Sequence, residues 1–256
     1  MFLLTPRKTK ERNDVKLLGA IRINSSSFFV FKNREGKVAL KTGKDEKLQK
    51  KAVHLMLELN PRIKKILNCY RIKPSINTKT LRELSNGHMN ETCNVAMGIY
   101  SFLSDEIKSG IDESILKEAS MLHDLGKVLI PTKILNKPAR LNKKEREIMN
   151  IHSTLGYELL KTQNIKTETL DLVKYHHQNL QCSGYPALVG SRIPSDIGVQ
   201  IISTADKYSA LREARVYRRK LSRIESLLIL YREVREGKIH KAVFDALVNY
   251  AENYDK

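Results

Sequence analysis

The chain has 256 residues, of which 41% are hydrophobic and 29% charged, and its formal net charge is +18. This composition is typical of a soluble protein with one large domain, or one small and one large domain. No apolar run reaches the roughly 18–20 residues that span a bilayer, and the apolar start of the chain is too short for a signal-peptide core. Three scattered cysteines without a C-x-x-C pair argue against a disulfide framework and indicate a reducing cytoplasm.

The excess of basic residues has two interpretations. It can reflect a lysine-rich solvated surface, or it can attract an anionic ligand such as a nucleotide, a nucleic acid or a membrane surface. The absence of Trp and the low aromatic content argue against nucleic acid as the partner, because few rings are available to stack on bases. The basic residues are dispersed except for a cluster within 212–223.

Residues 1–75 are predicted to form a small N-terminal α+β domain. Apolar or alternating residues over 17–23, 27–32 and 38–41 indicate a short β-meander. Helix is predicted within 44–68, with a break near Asn60-Pro61. We expect no catalytic residue here. The role of this domain is left open, with binding of a protein partner as one possibility.

Residues 78–256 are predicted to be almost entirely helical. Apolar residues recur at helical spacing in seven segments, which are 80–104, 112–125, 143–161, 166–178, 196–213, 222–236 and 239–252. Ser222 and Glu225 form a capping-box pattern, and Gly237 follows at the expected helix end. The predicted fold class is therefore mainly α, a bundle of about seven helices preceded by the small α+β domain.

Five of the predicted helices place a His or Asp on the face that should be buried. The candidates are His88, His123, Asp124, His152, His176, His177 and Asp206. A single histidine on an apolar face is usually satisfied by hydrogen bonds, but a shared metal would satisfy all of these groups together. Seven candidates exceed one tetrahedral site. Two metals bridged by Asp124 would use them all, and such pairs serve phosphate-ester hydrolysis.

Ordered motifs then identify a family. His123-Asp124-Leu125-Gly126-Lys127 is similar to HD(I/L)GK, and His176-His177 with Gly184-Tyr185-Pro186 is similar to HHE-x-x-DG-x-GYP. The other matches are His152 with Gly156, Ala205-Asp206, and Arg215-x-Tyr217-Arg218. From about His88 to about Val248 the chain resembles the HD-GYP subgroup of the HD phosphohydrolases, which are bacterial phosphodiesterases of cyclic di-GMP.

The resemblance implies a role for each candidate. It implies one metal held by His88, His123, Asp124 and Asp206, and a second held by Asp124, His152, His176 and His177. Fe or Mn is the expected metal, although Zn and Ni also accept such ligands. Lys127 would contact the scissile phosphate or protonate the leaving oxygen, Arg215 and Arg218 would bind phosphate oxygens, and Tyr185 would shape the substrate loop. The implied reaction converts cyclic di-GMP to linear pGpG, with GMP as a further product of a second cut.

The chain departs from the family pattern after His177. Gln178 replaces the Glu of HHE, Gln181-Cys182 replaces Asp-Gly, and Ser209 replaces the second Asp of ADxxDA. Leu84 stands where some members have a Glu that binds a third metal, so two metals are predicted. Two alternatives stay open. One is a degenerate module that binds cyclic di-GMP or a protein partner with little turnover. The other is an HD hydrolase of another nucleotide or of RNA.

Overall fold

The three-dimensional structure is a computed structural model. It describes residues 16–17, 28–33, 36–41, 57–58, 60–77, 80, 83, 87–161, 165–188, 196–214 and 219–255. Within these ranges the chain is mainly helical, as predicted. None of the described helices is both long and apolar enough to cross a membrane.

A small antiparallel sheet comes first in the chain. Its strands are β1 (Lys16–Leu17), β2 (Phe28–Asn33) and β3 (Gly36–Lys41), and they pair in the order β1-β2-β3. Phe31 pairs with Val38, and Asn33 pairs with Gly36. The predicted β-meander is therefore present, while the predicted strand residues 18–23 and the helix predicted over 44–56 fall outside the described residues.

Helices account for most of the remaining described structure. In chain order they are α1 (Pro61–Cys69), α2 (His88–Ser101), α3 (Asp105–Lys108), α4 (Glu113–Leu122), the 3-10 helix η1 (Leu125–Leu129), α5 (Thr132–Leu135), α6 (Lys143–Asn150), α7 (His152–Lys161), α8 (Thr167–Tyr175), α9 (Ile197–Arg212), α10 (Arg223–Arg235) and α11 (Lys241–Tyr254).

Two predicted helices end earlier than the apolar pattern indicated. The segment 143–161 was expected to be continuous, but Ile151 separates α6 from α7. The segment 112–125 was expected to run through Asp124, but α4 ends at Leu122 and the tighter turn of η1 follows. Both breaks fall next to a predicted metal ligand, so they place His123 and His152 at helix ends and not on helix faces.

Side-chain caps define several of the helix starts. Ser222 accepts a hydrogen bond from the Glu225 backbone N–H while the Glu225 side chain accepts from the Ser222 N–H, which completes the predicted capping box of α10. Asn142 and Glu145 form a second capping box on α6. Gly237 follows α10 with a φ of +68°, a conformation that glycine adopts without strain.

The core lies between the long helices. The α9 helix packs on α2, which also contacts α4 and α11, and α7 packs on both η1 and α8. One apolar cluster joins these helices, and it includes Ile63 and Leu67 of α1. Asn60 and Glu158, both buried, tie α1 to α7 through a 3.2 Å side-chain hydrogen bond. The boundary between the two domains near residue 75 stays a prediction.

Candidate metal centre

The predicted ligands come together in the middle of the helical core. His88 is the first residue of α2, His123 follows α4, His152 is the first residue of α7, and His176 follows α8. Only Asp206 lies well inside a helix, α9. The cluster is thus built from helix ends, a result that the apolar periodicity alone did not predict.

The seven side chains fall into two groups that share one carboxylate. Within each group the ligand atoms lie within 4.8 Å of one another. The first group is His88, His123, Asp124 and Asp206, and the second is Asp124, His152, His176 and His177. These are the two sets that the family resemblance implied.

Asp124 presents one oxygen to each group. Its Oδ1 lies 3.2 Å from Nε2 of His152 and 4.0 Å from Nε2 of His176. Its Oδ2 lies 3.5 Å from Nε2 of His123 and 3.8 Å from Nε2 of His88. A carboxylate in this position can bridge two cations.

Asp206 and His177 contact each other and connect the two groups of ligands. Asp206 Oδ1 lies 2.8 Å from Nε2 of His88, and its Oδ2 lies 3.7 Å from Nδ1 of His177. The Nε2 of His177 lies 3.2 Å from Nε2 of His152. His177 therefore lies between the two groups, and its second nitrogen faces the first of them.

Three of the histidines are oriented by the same local contact. Nδ1 of His123, His152 and His176 lies 2.7–2.8 Å from the backbone carbonyl three residues earlier. A carbonyl oxygen can only accept, so each Nδ1 carries the proton and donates it. In a neutral ring this leaves Nε2 without a proton, and its lone pair is directed into the cluster. Such outer hydrogen bonds fix the tautomer of metal-binding histidines.

This arrangement requires a positive charge between the rings. Nε2 of His152 and Nε2 of His176 are 3.3 Å apart, and neither neutral ring has a proton to place between them. Among the described residues, Nε2 of His123 and Oδ1 of Asp124 have no hydrogen-bond partner, although both atoms are buried. Buried lone pairs that face one another are costly unless a cation or proton joins them. The donor set of imidazole and carboxylate fits a divalent metal.

Burial and neighbouring charges set the protonation states. Burial raises the pKa of Asp124, but the Lys127 ammonium and His123 outweigh it and hold that pKa well below its usual range. Burial lowers the pKa of His177 to about 3 and also lowers that of His176. Burial also raises the pKa of Asp206, but His123 and His88 outweigh it and hold that pKa well below its usual range. Two carboxylates and two neutral imidazoles are thus ready to bind a cation at neutral pH.

His123 differs from the other buried histidines. Burial acts to lower its pKa, but the carboxylates of Asp124 and Asp206 outweigh burial and raise that pKa to about 10. In the protein without metal, His123 therefore holds a second proton at neutral pH. A metal that binds at Nε2 must displace this proton.

Gly126 and Gly184, two glycines of the motifs, let separate backbone segments come into close contact. A Cβ on Gly126 would lie 1.9 Å from the carbonyl oxygen of His152 and 2.5 Å from the nitrogen of Gly156. A Cβ on Gly184 would lie 2.0 Å from the carbonyl oxygen of His177. Only glycine fits either place, so these residues set the distance of η1 and of the Gly-Tyr-Pro turn from the ligand helices.

Lys127 and Tyr185 border the cluster. Nζ of Lys127 lies 2.5 Å from Oδ2 of Asp124, and the lysine side chain keeps 19% of its surface exposed. The ring of Tyr185 lies against that of His177, with centroids 4.5 Å apart and planes at 33°. Their contact with a substrate stays a prediction. The predicted phosphate contacts Arg215 and Arg218 lie outside the described residues.

Two polar residues near the cluster were not predicted as site residues. Glu213, at the end of α9, lies 3.7 Å from Nδ1 of His88. Gln178 is fully buried next to His177 and hydrogen-bonds within the following turn. Glu213 follows Arg212 in a basic segment, where nothing in the pattern distinguishes it. Gln178 was recognised only as a departure from a motif.

The chain is similar to several known proteins. The HD domain family matches residues 82–243. The chain is 36% identical over 135 residues to 3′3′-cGAMP-specific phosphodiesterase 1 of Vibrio cholerae serotype O1. The aligned region covers 52% of this chain and 31% of that protein. It is 38% identical over 120 residues to the cyclic di-GMP phosphodiesterase response regulator RpfG of Xanthomonas campestris pv. campestris, covering 46% of this chain and 31% of that protein.

A solved structure has the same fold. An HDG"Y"P protein from Bdellovibrio bacteriovorus superposes with a TM-score of 0.50 at 14% identity, covering 65% of this chain and 52% of that one. The chain spans 31% of the length of each of the two curated relatives above. The chain belongs to the HD domain family, and its resemblance to the HD-GYP subgroup is confirmed.

Proposed function

We propose that this chain hydrolyses a phosphodiester bond of cyclic di-GMP at a centre of two divalent metals, with linear pGpG as the product. The observation that carries the proposal is the shared carboxylate of Asp124, whose two oxygens face two separate groups of ligand atoms. The names of the curated relatives, which include cyclic di-GMP and 3′3′-cGAMP phosphodiesterases, support a cyclic dinucleotide as the substrate.

His88, His123 and Asp206 would hold one ion, His152, His176 and His177 the other, and Asp124 both. Fe or Mn suits this mixture of imidazole and carboxylate. Two such ions, when bound, supply Lewis acidity that lowers the pKa of water and offsets the charge of a phosphate.

The remaining residues act on the substrate. Lys127, held beside Asp124, can place its ammonium on a phosphate oxygen or donate a proton to the departing 3′ oxygen. Tyr185 forms a wall next to the second group of ligands and can orient the dinucleotide there. Arg215 and Arg218 remain the proposed phosphate contacts, and the net charge of +18 favours the approach of an anionic substrate.

The test is a hydrolysis assay on protein whose metal content is measured in the same sample. Protein loaded with Mn or Fe should convert cyclic di-GMP to pGpG, with 3′3′-cGAMP, cyclic di-AMP and short RNA as competing substrates. Asp124→Asn should abolish turnover and reduce the bound metal. Asp245→Asn, an exposed carboxylate paired with Lys241 on α11, is the matched control and should change neither.

Three results would contradict the proposal. A fully loaded wild-type protein without turnover of any cyclic dinucleotide would show that the chain is not a phosphodiesterase. Tight binding of cyclic di-GMP without turnover would favour the degenerate binding module. Preferential cleavage of RNA with a steep salt dependence would favour a different HD hydrolase.

A further inference from the structure

The segment 178–186, called the 178–186 loop below, leaves the metal cluster at His177 and returns to it at Tyr185. His177 and Tyr185 pair in an isolated antiparallel bridge, and their rings lie against each other. Gly184 allows the returning backbone to approach the carbonyl of His177. The position of the loop therefore determines where Tyr185 lies relative to a metal ligand.

Gln178 joins the returning end of this loop to its start. Its side chain has no solvent exposure. Its amide Nε2 donates to the carbonyl oxygen of Pro186 at 2.6 Å, and its Oε1 accepts from the backbone N–H of Gly184 at 3.1 Å. The two bonds lie on either side of Tyr185. One side chain needs both a donor and an acceptor for this, which an amide has and an ionised carboxylate lacks.

Gln181 fastens the outer side of the same loop. Its Nε2 donates to the carbonyl oxygen of Glu236 at 2.6 Å, just after α10 ends. The backbone N–H of Leu180 donates to the carbonyl of Lys238 at 3.1 Å. A carboxylate at position 181 would face a carbonyl oxygen and could not donate. The two glutamines that replace acidic residues of the family motif thus both act as hydrogen-bond donors.

We propose that Gln178 is a positioning residue that holds Tyr185 against His177, and that Gln181 assists by fixing the 178–186 loop to the turn after α10. The hydrogen bonds of Gln178 and Gln181 fix the position of the loop whether or not the chain turns over a substrate. The catalytic consequence rests on the proposed function, because Tyr185 is the side chain expected to contact the substrate. The replacements after His177 are therefore a second way of ordering this loop, with neutral donors in place of acids.

Two substitutions at position 178 separate the two hydrogen bonds. Gln178→Glu keeps the acceptor for Gly184 but loses the donor to Pro186, and Gln178→Met loses both. Loss of a buried hydrogen bond should raise KM for cyclic di-GMP by about tenfold. The rise should be larger for Met than for Glu, with a smaller change in kcat. Hydrogen exchange at the Gly184 amide should accelerate in Gln178→Met, while the metal content stays at the wild-type level.

Further variants serve as a second test and as a control. Gln181→Glu should loosen the loop from the other side, raising KM and exchange at the Leu180 amide, and it does so without changing a buried residue. Gln200→Met is the matched control, because Gln200 is a buried glutamine of α9 whose Nε2 has no hydrogen-bond partner among the described residues. It should leave KM and loop exchange unchanged.

The outcomes separate this inference from the proposed function. If the wild type shows no turnover but Gln178→Met accelerates exchange at Gly184, the proposed function fails and the positioning role stands. If the wild type turns over and neither Gln178 variant nor Gln181→Glu changes KM or amide exchange, the positioning role is wrong. A fall in kcat and metal content at constant KM would also overturn it, because that result would assign Gln178 to the metal ligands.

Discussion

Nε2 of His152 faces Nε2 of His176 across 3.3 Å, while the other nitrogen of each ring donates to a carbonyl of its own chain segment. In the neutral rings both Nε2 atoms carry a lone pair and no proton. The two lone pairs repel each other, and a cation bound between them removes this repulsion. The energetic consequences of this contact can be measured without any substrate.

Metal should therefore stabilise the fold. At a free metal concentration 100 times the dissociation constant, binding adds about 2.7 kcal/mol to the free energy of unfolding. Thermal unfolding followed by circular dichroism should show a Tm that rises with Mn concentration and falls with a chelator. His152→Gln, which removes a ligand of one of the two groups, should reduce the rise in Tm, and His240→Gln, a change outside the cluster, should leave it unchanged. A Tm independent of metal in the wild type would contradict the interpretation.

Metal binding should release a proton and strengthen as the pH rises. The raised pKa of His123, about 10, means that the metal-free ring is protonated below that pH and must lose this proton to bind a cation. In the metal-free protein the same proton stabilises the fold fully below pH 6.5, and this contribution is lost as pH rises through about 10.

Calorimetry checks this proton release. Titration of Mn at pH 7 in two buffers of different ionisation enthalpy should give heats that differ in proportion to the protons released. The lowered pKa values of His176 and His177 keep those rings neutral, so they add no further release in this range. Equal heats in the two buffers would show that His123 is already neutral.

Gly126→Ala should damage the centre through the backbone. The new methyl would collide with the carbonyl of His152, so η1 and α7 must move apart. We expect a loss of about 2 kcal/mol or more in the free energy of unfolding, as overpacking in a closed space produces. Weaker metal binding should accompany it. Gly110→Ala, where the nearest atom would be 3.7 Å away, is the control in the same urea titration and should be nearly neutral.

Cys182→Gly should stabilise the protein. Cys182 has a φ of +56°, a left-handed conformation that costs a residue with a Cβ about 1 kcal/mol or more and costs glycine little. The greater freedom of glycine in the unfolded chain offsets part of this gain, so the net increase should be about 0.5 kcal/mol. The same change at Cys69, the last residue of α1, should destabilise. Urea denaturation measures the free energy of unfolding of both variants. A lower value for Cys182→Gly than for the wild type would contradict this prediction.

Lys127→Met should separate chemistry from metal binding. If the ammonium stabilises or protonates the leaving oxygen, kcat should fall by about 10²–10⁴ with the bound metal retained. Lys127→Arg keeps the charge and should recover part of the rate. Lys133→Met, an exposed lysine on α5, is the control. A kcat within a factor of two of the wild type in Lys127→Met would remove this residue from the proposed mechanism.

Much of this architecture could be predicted because its signals are local. The capping box of Ser222 and Glu225 and the glycine at 237 marked the ends of α10 directly. The breaks at Ile151 and after Leu122 carry no adjacent proline, and apolar spacing continues across them. At both breaks a histidine ring donates to the backbone carbonyl three residues earlier, and apolar periodicity does not record such a side-chain contact.

The residues of the candidate centre could be predicted from the sequence, but the contacts that hold them in place could not. Seven ligand-type residues on predicted inward faces pointed to a shared cluster, and the structure brings all seven together. The bonds of Gln178 could not be predicted, because an amide and a carboxylate differ there only in the partners that the folded loop provides. Its donor role becomes visible only once Pro186 lies next to it.

The carbonyls that accept from His123, His152 and His176 belong to the last turns of α4, α6 and α8, where helix carbonyls lack partners within the helix. Each of these rings is therefore locked as part of folding, before any ion arrives. The entropy of ordering three ligands is already lost in the metal-free protein, which leaves more of the coordination energy for affinity. Metal uptake should accordingly proceed with almost no change in helix content.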